Sequence, residues 1–169
     1  TALLDAACVA SPVNASSNTQ ALNVQCPESP SGDGVGLAVR VAVAGQSSLF
    51  SEDATTFSYF PPHIYSLSPN HGATSGLNDA GEPSVLTLWG RNFGKGGSVH
   101  FLPGDTSQRQ TGAMPASSTP LAATSILSWN HTHVMFTAPE GWGSRVGVAV
   151  VVGGQPSTAN SSVEFAYDP

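Results

Sequence analysis

Few residues in this chain are of types that do chemistry, and their spacing points to covalent decoration and binding rather than catalysis. Three Asn-x-Ser/Thr triplets are acceptors for N-linked glycan: Asn14-Ala15-Ser16, Asn130-His131-Thr132 and Asn160-Ser161-Ser162. All fall in predicted loops or at strand ends, where a glycan can be accommodated. His131 and His133 are spaced to share one face of a strand, as a metal pair would require. No carboxylate or cysteine nearby in sequence completes a coordination sphere, and His131 sits inside a sequon, so solvent-facing strand histidines are the preferred reading. His100 has no partner that can be named. Asn78, Asp79 and Glu82 could bring three oxygens to a calcium ion, but three oxygens on a short loop are more often a solvated turn. Gly90-Arg91-Asn92-Phe93-Gly94-Lys95 has the look of a phosphate loop without its spacing, its following Ser or Thr, or its strand–helix context. No Gly-x-Ser-x-Gly elbow occurs, and no serine, histidine and acid are placed by a recognisable motif. The expectation is a non-enzyme with no cofactor and no metal. Among the tryptophans, Trp89 and Trp129 lie in predicted strands and are expected to pack, whereas Trp142, between two glycines, is the candidate for an exposed contact.

The composition narrows the partners. Only 9% of the 169 residues are charged, against about 25% in ordinary soluble domains, and the net charge is −6 with Lys95 as the only lysine. Nucleic acid is disfavoured, because its phosphates need a basic surface. Anionic lipid is disfavoured for the same reason. No apolar run approaches the roughly 18 residues of a membrane span, and the opening TALLDAACVAS has neither the basic leader nor the long apolar segment of a signal peptide. Two cysteines, Cys8 and Cys26, are compatible with one disulfide and an oxidising compartment. With the sequons, they favour an extracellular, secreted location.

The elements that must position these residues read as strands. One stretch is written twice: Val39 to Ser48 is VRVAVAGQSS and Val148 to Ser157 is VAVVVGGQPS, followed by Phe57-x-Tyr59 and Phe165-x-Tyr167. The Gly-Gln pairs lie 109 positions apart and the Phe-x-Tyr pairs 108 apart, the mark of a repeated structural unit. Alternation predicts a strand over 37–44 with Leu37, Val39, Val41 and Val43 on one face. Further strands are predicted at His63–Leu67, Val85–Trp89, Ser98–Leu102, Ile126–Trp129, His133–Thr137, Arg145–Val152 and Val163–Tyr167. About seven short strands in roughly 105 residues is the pattern of an immunoglobulin-like sandwich. The boundary between units is predicted at Phe60-Pro61-Pro62-His63, where two prolines stiffen the joint. Residues 105–124, rich in Ser, Thr, Ala and Pro, read as a long exposed loop suited to O-glycosylation.

Three ordered motifs in 62–169 resemble the IPT/TIG domain, an immunoglobulin-like fold. Pro62-His63-Ile64-Tyr65-Ser66-Leu67-Ser68-Pro69-Asn70-His71-Gly72 resembles the family's opening P-x-I-x-x-(I/L)-x-P-x-x-G, and Leu86-Thr87-Leu88-Trp89-Gly90-Arg91-Asn92-Phe93-Gly94 its core strand and N-F-G turn. Val134 to Gly143 (VMFTAPEGWG) resembles the segment before the penultimate strand. Residues 1–61 resemble only the later half of the same domain. The resemblance implies an all-β chain of tandem immunoglobulin-like sandwiches, one partial (1–61) and one complete (62–169). It also implies a disulfide between Cys8 and Cys26, because extracellular members commonly pair a cysteine at the position of Cys26 with one just upstream; such a loop closure contributes roughly 3 kcal/mol.

The expected function is a non-enzymatic extracellular structural or adhesion glycoprotein module, forming a stalk, surface coat or head-to-tail filament. Its partners would be further copies or other extracellular proteins, with covalent glycans. A partial bead would expose sheet edges and core, and strands from a neighbouring copy would complete it. The alternatives are a ligand-binding ectodomain segment of a cell-surface receptor, and an accessory domain of a carbohydrate-active enzyme.

Overall fold

A computed structural model of the chain describes residues 9–12, 22–26, 28–51, 56–102, 121–123, 125–158 and 163–168. The chain is all-β, with no helix among these residues, and divides into two compact units, Thr1–Gly32 and Asp33–Pro169. In the first unit β1 (Val9–Pro12) pairs antiparallel with β2 (Leu22–Gln25), from Val9 opposite Gln25 to Pro12 opposite Leu22.

The second unit begins with short ladders. They join β3 (Leu37–Ala38) to β6 (Thr56–Phe57), and β4 (Ala42–Val43) to β5 (Gln46–Ser47). Two larger sheets follow. One has the order β12-β13-β9-β7, made from β7 (His63–Ser68), β9 (Val85–Arg91), β12 (Ile126–Trp129) and β13 (His133–Thr137). The other has the order β11-β10-β14-β16-β8, made from β8 (His71–Ala73), β10 (Ser98–Leu102), β11 (Leu121–Ala122), β14 (Val146–Val152) and β16 (Glu164–Asp168), with β15 (Gln155–Pro156) folded back on β14. All neighbours are antiparallel except β16 and β8.

The alternating residues of both sheets meet in one core. Leu86 and Leu88 of β9, Val134 and Phe136 of β13, Val99 and Phe101 of β10, and Val148, Val150 and Val152 of β14 are all buried in it. Phe101 joins the sheets, with its ring edge-on to Phe136 at 6.0 Å and to Phe165 at 5.5 Å. Phe93 closes the core without any exposure, and Gly90 is required beside it: a Cβ there would run into the His63 carbonyl and the Phe93 ring.

All seven strands expected in 62–169 are present, with ends displaced by at most two residues. Two expectations fail. The segment 37–44 is not one continuous ladder, and Val39, Val41 and Val43 are exposed. Trp89 does not pack away either. It lies 46% exposed, because the inward positions of β9 belong to Leu86, Leu88 and Gly90, and Trp89 falls on the outer face.

Candidate functional site

The twice-written sequence builds the same structure twice. In the first copy the Val41 amide donates to Ser48 Oγ (3.1 Å) and the Ser48 amide to the Val41 carbonyl (2.8 Å). In the second, the Val150 amide donates to Ser157 Oγ (3.1 Å) and the Ser157 amide to the Val150 carbonyl (2.6 Å). Both hairpins turn through two residues of positive φ, Ala44 (48°) and Gly45 (82°) in one, Gly153 (55°) and Gly154 (79°) in the other. That is the turn whose twist matches a two-residue hairpin. Leu37 faces Phe57 as Val146 faces Phe165. Phe57 meets Tyr59 edge-on at 4.9 Å, and Phe165 meets Tyr167 at 5.0 Å. Even the loop glycines agree: Gly34 (φ 112°) accepts from the Tyr59 amide, and Gly143 (φ 115°) from the Tyr167 amide.

Where the two copies meet, the second clamps the first. Gln155 Nε2 donates to the carbonyls of Gly34 (3.0 Å) and Tyr59 (3.2 Å), so one side-chain amide ties the ends of two segments of the first repeat to a hairpin of the second. The backbone approaches closely here. A Cβ on Gly153 would lie 2.5 Å from the Gly34 nitrogen, and one on Gly94 would lie 3.0 Å from Asp33 Oδ2. Asn92, at φ 60° in the N-F-G turn, donates from Nδ2 to the Pro61 carbonyl (3.2 Å). The Thr158 amide donates to the Pro62 carbonyl (3.2 Å), and His63 Nδ1 and Thr158 Oγ1 share a hydrogen bond at 3.0 Å. Pro62 itself is buried. The Pro-Pro joint is therefore held by side-chain donors as well as stiffened by its rings. Donors and acceptors in the clamp are uncharged amides, carbonyls and a hydroxyl, with His63 the single titratable partner, so salt screens it little. Sequence reading missed the contacts of Gln155, although Gly-Gln and the following Ser48 and Ser157 recur in both copies.

The copies differ in what covers them. Val41 is 42% exposed where Val150 is fully buried, Val43 67% where Val152 is 2%, and Phe57 40% where Phe165 is fully buried.

The other sequence-singled residues stand apart. Asn130 turns the chain between β12 and β13, with Oδ1 accepting from the amides of Thr132 and His133 and from Thr132 Oγ1. It is exposed, as a glycan acceptor must be. Asn14 and Asn160 lie outside the described residues, as does most of the 105–124 loop. Cys26 is not a free thiol, and Cys8 lies outside the described residues. Trp142 is 76% exposed, while Trp129 Nε1 donates to the Phe93 carbonyl. His133 stacks at 5.0 Å on Trp89, and His131 is exposed. His100 shares a hydrogen bond with Ser98 through Nε2. Asn78 spends its side-chain oxygen on the amides of Ala80 and Glu82, closing a turn rather than opening toward a cation. Among the described residues no group of three or more His, Cys, Asp or Glu could hold a metal ion, and no helix is long and apolar enough to cross a membrane.

No protein-family model matches the chain, and no curated protein matches it in sequence.

Proposed function

We propose that the chain is a non-enzymatic, extracellular structural or adhesion module made of IPT/TIG-like, immunoglobulin-type sandwich beads, working in a stalk, surface coat or head-to-tail filament. The clamp at the joint carries this reading: a bead serving only as a ligand-binding or catalytic accessory has no need of a fixed angle to its neighbour. Four hydrogen bonds from three donors, Asn92 Nδ2, Gln155 Nε2 and the Thr158 amide, to the carbonyls of Gly34, Tyr59, Pro61 and Pro62 favour one angle. The order β12-β13-β9-β7 facing β10-β14-β16 supports the immunoglobulin-type assignment, since it places consecutive hairpins on opposite sheets around an aromatic core. Self-association or other extracellular proteins supply the partners.

Glycan on Asn130, and on Asn14 and Asn160, would provide the solubility that so few charges do not. A Cys8–Cys26 disulfide belongs to the same reading. In support, the β1–β2 ladder sets Val9, next to Cys8 in sequence, opposite Gln25, next to Cys26.

Electron microscopy of native material together with its intact mass tests the proposal. Extended arrays with a regular axial repeat and a mass raised by glycan are expected. Monodisperse, unglycosylated particles of 17.2 kDa would sink it.

A further inference from the structure

Val39, Val41, Val43 and Phe57 fold as their buried counterparts do, yet remain uncovered. In the second copy the facing sheet covers their counterparts through Leu86, Leu88, Val134 and Phe136, and a neighbouring strand occupies the free edge. There β14 carries β10 on its far edge, in the register Ser98–Val151, Val99–Val150, His100–Ala149, Phe101–Val148 and Leu102–Gly147. In the first copy the amide and carbonyl groups of Val39 and Val41 are taken by Ser48 and Ser51. Strand alternation turns those of Arg40 and Ala42 to the opposite edge, where no strand lies among the described residues. Both residues are exposed.

We infer that this edge is a strand acceptor for the opening half of another IPT/TIG-like bead, taking a β10-type strand in antiparallel register. The inference rests on the bead reading above and specifies how beads join. The added strand sets a Val99-type residue beside Val41 and a Phe101-type residue beside Val39, widening the apolar face as β10 does in the second copy, and the rest of the incoming half supplies the facing sheet. One position should differ. Where His100 faces Ala149, the incoming residue faces Arg40, whose guanidinium lies 5.3 Å from the Phe50 ring centroid. An acidic residue fits there better than histidine, since opposite charges directly across a ladder stabilise it. Edge addition of this kind takes affinity from the main chain and specificity from alternate side chains.

The test uses the full chain and synthetic peptides. A Gly97–Leu102 peptide, its His100→Glu form and a scrambled control are titrated while amide hydrogen exchange is followed residue by residue. Expected is slowed exchange at Arg40 and Ala42, with the His100→Glu peptide binding more tightly and the scrambled peptide inert. Ala42→Pro removes one edge donor, and Val41→Lys places a charge on the apolar face. Each should weaken peptide binding by about tenfold while the Ser48 and Tyr59 amides stay protected, showing the hairpin intact. Unchanged exchange at Arg40 and Ala42 at saturating peptide, or equal protection by the scrambled peptide, overturns the inference. Protection that instead grows with protein concentration alone would assign the strand to a second copy's own β10 and overturn a separate donor. Arrays seen in the microscope whose Arg40 and Ala42 amides exchange freely would sink this inference alone. Peptide addition without any array would uphold it and sink the bead function.

Discussion

Gly153→Ala tests the joint most directly, because the chain contains its own control. At φ 55° an alanine sits in the left-handed region, which costs roughly 1 kcal/mol, and Ala44 already bears that cost at the equivalent turn of the first copy. The surroundings differ, however. The new Cβ would lie 2.5 Å from the Gly34 nitrogen and 2.8 Å from its Cα, so those atoms must part by roughly 1 Å to reach ordinary contact distance. Such a shift carries the Gln155 contacts at 3.0 and 3.2 Å beyond hydrogen-bond reach, forfeiting about 1 kcal/mol for each. The sum is about 3 kcal/mol, of which only the first third is local to the turn. Ala44→Gly relieves the same backbone strain, offset by a freer unfolded chain, and should change stability by less than about 1 kcal/mol. Urea unfolding gives the totals, and hydrogen exchange at the Tyr59 and Thr158 amides reports on the joint. Adding Gln155→Ala to Gly153→Ala should cost little more, since the same bonds are already gone. If Gly153→Ala leaves both amides protected as in the parent chain, or if the two substitutions are additive, the clamp does not hold the repeats together.

Three further outcomes follow from the same geometry. Val150→Ala, in the core, should cost about 2 kcal/mol from lost transfer energy and a residual cavity, whereas Val41→Ala should cost less than about 0.5 kcal/mol; urea midpoints decide this, and a large Val41 effect in the free chain would contradict its exposure. Burial pushes the Tyr167 hydroxyl up from 10.0 to about 12, and its O–H donates to the Pro139 carbonyl at 2.9 Å. The unfolded chain thus loses this proton first, so the contribution is intact below pH 10 and falls as pH rises toward 12, by up to about 2.5 kcal/mol; comparing the parent chain with Tyr167→Phe at pH 9 and 11.5 isolates the effect. Expressed through a secretory pathway, the chain should lose one glycan by intact mass on Thr132→Ala, and the Thr132 and His133 amides should keep their bonds to Asn130; an unchanged mass removes Asn130 from the acceptor sites.

The seven strands expected in 62–169 were legible because period-two alternation agrees with Gly, Pro, Asn or Asp punctuation at most of them. Trp89 was legible too, had alternation been followed over hydrophobicity, since Leu86 and Leu88 fix the inward face. Exposure of Val39, Val41 and Val43 was not, because alternation tells which face of a strand is apolar and not whether another strand lies on it. The role of Gln155 was hidden for a different reason: it reads as a turn residue, and its partner Gly34 lies 121 positions away.

The joint and the open edge are linked by energetics. Val39, Val41, Val43 and Phe57 are each about half uncovered, so covering them with the facing sheet of an incoming half-bead is worth on the order of 1 kcal/mol apiece, most of which a lone edge strand does not supply. The main-chain groups of Arg40 and Ala42 add about 1 kcal/mol per bond formed. Together these reach several kcal/mol, within the roughly 4–15 kcal/mol that association costs in lost translation, rotation and ordering. A free strand therefore binds this edge weakly. The same strand delivered by a bead already held at a set angle has most of that cost removed, because its ends arrive oriented and at high effective concentration. In the second copy, Gln155, Asn92 and the Pro61-Pro62 pair set such an angle. A clamp that fixes direction is then what turns a weak acceptor edge into a usable one, and each is of little use to an array without the other.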